Sequence, residues 1–94
     1  MGLDFLDVAF EIEKQFGVRI SASDLVESDE WDALENDCTA GALHRIICRK
    51  CELEGIPAPR SSWNRMRIAL MKSAGVGADE VKDGAWLVHD LDMG

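Results

Sequence analysis

Apolar side chains recur at helical spacing in three segments of this chain, and that repetition constrains the fold more than any other feature. The segments are residues 3–16, 39–55 and 62–74, and glycine or proline lies at or just beyond the end of each one. Apolar residues three and four positions apart share one face of an α-helix, so each segment predicts an amphipathic helix. Ninety-four residues suit one small domain. We therefore expect an all-α fold, a bundle of three to four helices in a single domain over residues 1–94.

The first predicted helix, residues 3–16, sets a wide apolar arc opposite a stripe of acids. Both flanks of the apolar arc follow helical spacing, and so does the acidic stripe. Acids early in a helix suit its dipole, and Gly17 is a typical C-terminal stop. The first flank contains Leu3, Leu6 and Phe10, the second contains Phe5, Val8, Ile12 and Phe16, and the stripe contains Asp4, Asp7 and Glu11.

Between and after the long helices the sequence predicts caps, anchors and short turns. Thr39 is a typical N-cap residue for the second long helix, and either Ser61 or Ser62 is expected to be the N-cap of the third. Short helical turns are expected over 24–27 and 79–82. Apolar residues in these loops are expected to anchor them on the core: Val18, Ile20, Trp31, Leu34, Trp86, Leu87 and Leu91.

The charge of the chain excludes one class of partner. Eighteen acids against ten bases give a net charge of −8, whereas a nucleic-acid-binding protein needs a cationic surface. The charge is also segregated, because residues 1–37 hold eleven acids and two bases, while residues 38–72 hold two acids and seven bases. No apolar run is long enough to span a membrane and no leader pattern opens the chain, so a cytoplasmic location is expected.

Cysteine and histidine form the pattern with the most chemical potential. His44, Cys48 and Cys51 lie near one face of the second long helix, where they are candidate zinc ligands with Cys38 as a fourth. The alternative is that the cysteines are small apolar core residues with reduced thiols. No βαβ pattern surrounds the CxxC motif, and no nucleophile–base spacing or phosphate-binding loop is present, so we expect a protein that is not an enzyme.

Several segments resemble the acyl carrier protein family. The segment GLDFLDVAFEIEKQFG (2–17) is similar to the second helix of that family, and VRISASDL (18–25) to the loop after it. CTAGALHRII (38–47) resembles the last helix, which starts at a Thr-x-Gly sequence. Residues 61–94 resemble the family's first helix and its long loop, which ends in an Asp-Leu pair, here Asp90-Leu91.

The resemblance implies a circular permutation. Family helices II–IV fall within residues 2–55, a linker spans 56–60, and family helix I with its loop falls within 61–94. A chain break in an exposed loop is well tolerated, and the permuted bundle would keep its core. The order predicts that Met1 lies near Gly94 in a monomer or across a swapped dimer. It also predicts that Trp63, Met66 and Leu70 pack on Leu6, Phe10, Leu43 and Ile47.

The resemblance also implies a site without its prosthetic group. The family serine that carries 4′-phosphopantetheine falls on Gly2, which has no hydroxyl, so no cofactor is expected. Asp4, Asp7 and Glu11 fall where the family docks basic partner enzymes, which implies an acyl-transfer or synthase enzyme of fatty-acid, lipid or polyketide metabolism. The alternatives are a genuine acyl carrier modified in another way and a zinc-stabilised helical module. The acidic stripe has two rival interpretations, a solvated helix face or a surface neutralised internally by the basic segment 38–72.

Overall fold

Four α-helices and one 3-10 turn account for the regular structure. The computed structural model describes residues 5–91, and across that range it forms helices and two isolated β-bridges but no strand. The helices are α1 (Phe5–Phe16), α2 (Ala22–Val26), α3 (Ala40–Leu53) and α4 (Ser62–Ala74), and the 3-10 turn spans Ala78–Glu80. The predicted all-α class and the three long helices are confirmed.

Helix α1 buries one narrow line of side chains. Val8, Ile12 and Phe16, spaced four residues apart, are almost wholly buried against the rest of the core. The prediction that Leu6 and Phe10 belong to the core is wrong, since they are 74% and 68% exposed. Helix α4 is the main neighbour of α1, and one neighbouring helix covers only one stripe of a helix surface.

The acidic segment after α1 contains the short helix α2, and the cap at the start of this helix was not predicted from the sequence. Helix α2 begins two residues before the predicted turn because Ser21 and Asp24 form a capping box. The Ser21 backbone N–H donates to Asp24 Oδ2 at 2.8 Å, and Leu25 anchors the helix in the core. Trp31 packs partly on the core as expected, whereas Leu34 is 98% exposed and anchors nothing.

Helix α3 begins as predicted, and a distant loop completes its N-terminus. Thr39 is the N-cap, and its Oγ1 accepts a hydrogen bond from the Ala42 N–H at 3.1 Å. The Ala40 N–H donates to the Ala85 carbonyl at 2.8 Å, and the Gly41 N–H donates to the Asp83 carbonyl at 2.9 Å. These bonds satisfy the N–H groups that every helix start leaves without a partner inside the helix.

The approach of that loop explains the Thr-x-Gly sequence. A Cβ atom added at Gly41 would overlap the Asp83 side chain and press on the Asp83 carbonyl oxygen. A larger residue at position 41 would require the Asp83 side chain to move and would crowd its carbonyl oxygen, so glycine suits this close approach. Farther along α3, the predicted core residues are buried: Leu43, Ile46, Ile47 and Cys51.

Helix α4 runs antiparallel to α1, because Arg65 bonds Gln15 while Lys72 lies beside Phe10 and Glu11. Met66 and Leu70 are wholly buried, in contact with a core that includes α1 and α3. Residues 62–91 therefore fold onto the rest of the chain. The expected proximity of Met1 and Gly94 lies outside the described residues, as does the contribution of Leu3.

Serine does not cap α4 in the predicted way. Ser61 occupies the N-cap position with a left-handed backbone, φ +58°, and its side chain makes no capping hydrogen bond. A capping side chain needs an extended backbone at that position to reach back to the helix N–H groups. The glycine stops are confirmed, since Gly17 and Gly75 both adopt positive φ just after α1 and α4.

Candidate functional site

The outward surface of α1 combines acids with exposed apolar side chains. We call it the α1 outer face and define it by Leu6, Asp7, Phe10, Glu11 and Lys14. Asp7 is exposed, and the Glu11 side chain, 20% exposed, pairs with Lys14 at 3.4 Å. Lys14 Nζ also lies 5.7 Å from the centroid of the Phe10 ring, within cation–π range. Gly2 and Asp4, the other predicted members of this site, lie outside the described residues.

A shallow polar depression extends the α1 outer face toward α4. It is lined by Asp7, Phe10, Glu11 and Lys14 of α1 and by Lys72 and Ser73 of α4. The Ser73 hydroxyl is buried without a hydrogen-bond partner, whereas Lys72 is exposed. The surface therefore offers acidic, basic and aromatic groups side by side.

Two of the acids within residues 24–30, Asp24 and Glu30, behave differently, because they pair with bases of α3. Arg45 Nη2 donates to Glu30 Oε2 at 2.9 Å, and this bond lowers the pKa of the Glu30 carboxyl. Lys50 Nζ lies 3.7 Å from Asp24 Oδ1. The pKa of Asp24 is lowered mainly by the hydrogen bond that its carboxylate accepts from the Ser21 backbone N–H. Arg45 and Lys50 of α3 thus pair with two acids of the segment 24–30, while no ion pair among residues 5–91 joins α3 to Asp7 or Glu11.

One fully buried carboxylate fastens the C-terminal loop, and sequence reasoning missed it. Asp37 Oδ1 accepts hydrogen bonds from the backbone N–H groups of Cys38 at 2.7 Å and Val88 at 2.9 Å. Its Oδ2 accepts from the His89 N–H at 3.0 Å. Nothing in the sequence distinguishes this residue from the other acids around it. Its three hydrogen-bond donors are backbone groups, and the His89 imidazole lies 3.9 Å from Oδ2, so we assign it a structural role.

The predicted metal ligands come together only in part. His44 Nε2 lies 3.5 Å from Cys48 Sγ and 2.7 Å from Ser62 Oγ, and His44 and Cys48 are half-buried. Cys51 is buried in the core instead, and so is Cys38. Within residues 5–91, no group of three or more His, Cys, Asp or Glu side chains is arranged to hold a metal ion.

The titration behaviour of these groups follows from their surroundings. Burial lowers the pKa of His44, and the neighbouring Arg45 adds to that effect, so the imidazole is held toward its neutral form. Burial, with the nearby Asp37 carboxylate, raises the pKa of the Cys38 thiol to about 12. Burial also raises the pKa of Cys51. Cys38 and Cys51 are therefore poor nucleophiles at neutral pH.

An apolar groove lies at the start of α1. Phe5, Leu25, Val26, Trp31 and Val88 line most of it, and its volume is about 330 Å³. Val26 is a largely exposed member of this lining. The periodicity of α1 did not reveal this groove, because the side chains come from three separate parts of the chain.

Two further findings concern membrane-spanning helices and similarity to known proteins. In the part of the chain that the structure describes, no helix is both long and apolar enough to cross a bilayer. Comparison with protein-family models, with curated proteins and with solved structures gives no match.

Proposed function

We propose that this chain is an acyl-carrier-protein-like recognition domain with permuted helix order, that it carries no 4′-phosphopantetheine, and that it docks a basic protein through the α1 outer face. The observation that carries the proposal is the division of the acids. Glu30 and Asp24 are paired with α3, while Asp7 is exposed beside Phe10. The expected partner is an acyl-transfer or synthase enzyme in a cytoplasmic pathway of lipid or polyketide metabolism.

The permuted order has support from packing. Helix α4 lies against both α1 and α3, and residues 83–87 form backbone hydrogen bonds with the start of α3 and with the residues just before it. These are contacts that a carrier-protein bundle needs if its first helix is supplied by the end of the chain. The Thr-x-Gly sequence also has a physical purpose here, because Gly41 admits that loop.

The absence of a prosthetic group has a direct test. The purified protein is incubated with coenzyme A and a phosphopantetheinyl transferase, beside an authentic acyl carrier protein as a positive control, and intact masses are measured. We expect no gain in mass for this chain, because Gly2 offers no hydroxyl for the phosphodiester. A gain of one phosphopantetheine group would refute this part of the proposal.

The docking surface is tested with a photo-crosslinking amino acid at position 10. The control carries the same amino acid at Leu34, which is even more exposed but lies outside the α1 outer face. We expect position 10 to crosslink one protein from native-host extract in a salt-sensitive manner, and position 34 to leave that protein uncaptured. Equal capture at both positions would show that exposure alone explains the crosslinks.

Charge reversal then measures how the captured partner associates. Asp7→Lys with Glu11→Lys should lower the association rate by about tenfold at low salt, because opposite charges steer encounter. The matched control is Glu52→Lys with Glu54→Lys, which changes the net charge equally at the exposed end of α3. An equal loss in both variants would show a general charge effect and no specific docking at α1.

A second function is favoured by the apolar groove. Trp31, Leu25 and Phe5 line a groove that suits an acyl chain more than an ion or a sugar, which supports the alternative of a genuine acyl carrier. That function needs a different attachment chemistry from the family's. Intact-mass measurement on protein isolated from the native host distinguishes a genuine carrier from a recognition domain. A covalently attached acyl-carrying group would add mass to the carrier.

A further inference from the structure

His44 and Cys48 lie one turn apart on α3 and present a nitrogen and a sulfur to the same point. The Nε2 and Sγ atoms are 3.5 Å apart, and both side chains are partly accessible. Helix geometry produces this proximity, because residues four apart are neighbours on one helix face. Cys51 is buried and does not complete the set.

The separation of the two atoms matches that of two ligands of one tetrahedral ion. With metal–sulfur and metal–nitrogen bonds of about 2.3 and 2.0–2.1 Å, a tetrahedral angle places sulfur and nitrogen roughly 3.5 Å apart. We propose that His44 and Cys48 chelate one thiophilic divalent cation of the Zn²⁺ class. Two protein ligands do not close a tetrahedron, so the remaining positions belong to water or to a ligand from outside the chain.

A bound ion would replace hydrogen bonds that His44 Nε2 now makes with Ser62 Oγ and with Cys48 Sγ. Ser62 Oγ, 2.7 Å from Nε2, is the present hydrogen-bond partner of the nitrogen that would bind the ion. On binding, the Cys48 S–H bond breaks and its proton leaves to solvent, the hydrogen bonds of Nε2 to Ser62 Oγ and Cys48 Sγ are lost, and metal–sulfur and metal–nitrogen bonds form.

The inference is tested with Cd²⁺ on the reduced, full-length protein. Cadmium–thiolate bonds absorb in the ultraviolet, so the band reports a sulfur ligand directly, and competition with Zn²⁺ reports affinity for zinc. We expect one Cd²⁺ per chain and displacement by Zn²⁺. Trp63 gives a second signal, because its ring lies edge-on to His44 with centroids 5.7 Å apart and its fluorescence should change on binding.

Substitutions decide which residues bind the ion. Cys48→Ser should abolish the band, and His44→Gln should weaken binding by at least the tenfold that even supporting residues of metal sites contribute. Cys51→Ala and His89→Gln are the matched controls and should leave the titration unchanged, with circular dichroism confirming that each variant folds. A band that persists in Cys48→Ser, or an affinity unaltered in a folded His44→Gln protein, would overturn the proposal.

Discussion

Replacing the buried Asp37 carboxylate should detach the C-terminal loop from the start of α3. In Asp37→Asn, one amide oxygen replaces two carboxylate oxygens that together accept three backbone N–H groups. Whichever way the amide is oriented, its NH₂ group faces at least one N–H donor, so at least one bond is lost. A hydrogen bond to a charged group contributes about 1.5–3 kcal/mol, and we expect the free energy of unfolding to fall by about 2–3 kcal/mol.

Asp37→Ala removes every acceptor and should cost more than the amide. The Cys38 N–H is left unpaired in the core, while the Val88 and His89 N–H groups are nearer the surface and can regain water. An unsatisfied buried donor costs about 1–3 kcal/mol, so a total of about 3–5 kcal/mol is expected. For a chain of this length, each kcal/mol corresponds to roughly 4–8 °C in melting temperature.

Urea unfolding followed by tryptophan fluorescence and far-ultraviolet circular dichroism measures both variants. Asp29→Asn, at an exposed carboxylate, is the control and should stay within about 0.5 kcal/mol of the parent. Hydrogen exchange should also accelerate first at the amides of Val88 and His89. An Asp37→Asn protein as stable as the control would refute the assigned role of the carboxylate.

Three further predictions concern the core and the thiols. Gly41→Ala should cost about 1–3 kcal/mol by overpacking against Asp83, and adding Asp83→Ala should restore part of that loss in the same urea assay. Leu70→Ala should cost about 2–5 kcal/mol, because the side chain is wholly buried; a loss below 1 kcal/mol would contradict the packing of α4. Iodoacetamide at pH 8 should label half-buried Cys48 first and leave native Cys38 unlabelled, since a pKa of about 12 keeps that thiol protonated, and peptide mass spectrometry identifies the order.

Local signals were sufficient to predict the long helices. Thr39 is followed by apolar residues at helical spacing, and Gly17 and Gly75 stop helices by adopting positive φ. These features act within a few residues of one another, so they can be read directly from the chain. The Ser21–Asp24 capping box belongs to the same class and was readable, although the turn prediction began two residues too late.

Features that depend on distant parts of the chain were not predictable in the same way. Leu6 and Phe10 have the spacing of core residues, but only the position of α4 decides which stripe of α1 is covered. Asp37 resembles its acidic neighbours until the 85–91 loop surrounds it with N–H donors. Cys51 lies three positions after Cys48, yet it is buried in the core, whereas Cys48 lies beside the imidazole of His44.

The ion pairs show which acids of the N-terminal part of the chain pair with the basic segment that follows it. A chain with acids in one part and bases in the next can neutralise itself, and Arg45 and Lys50 do so with Glu30 and Asp24. Those contacts join α3 to residues 24 and 30, and within residues 5–91 no ion pair joins α3 to Asp7 or Glu11 of the α1 outer face. Exposed ion pairs contribute little to stability, whereas exposed charge acts at a distance on a partner's approach. Asp24 and Glu30 therefore have partners within the fold, and Glu11 has Lys14, whereas Asp7, exposed near the Phe10 ring, is the carboxylate that our proposal assigns to recognition.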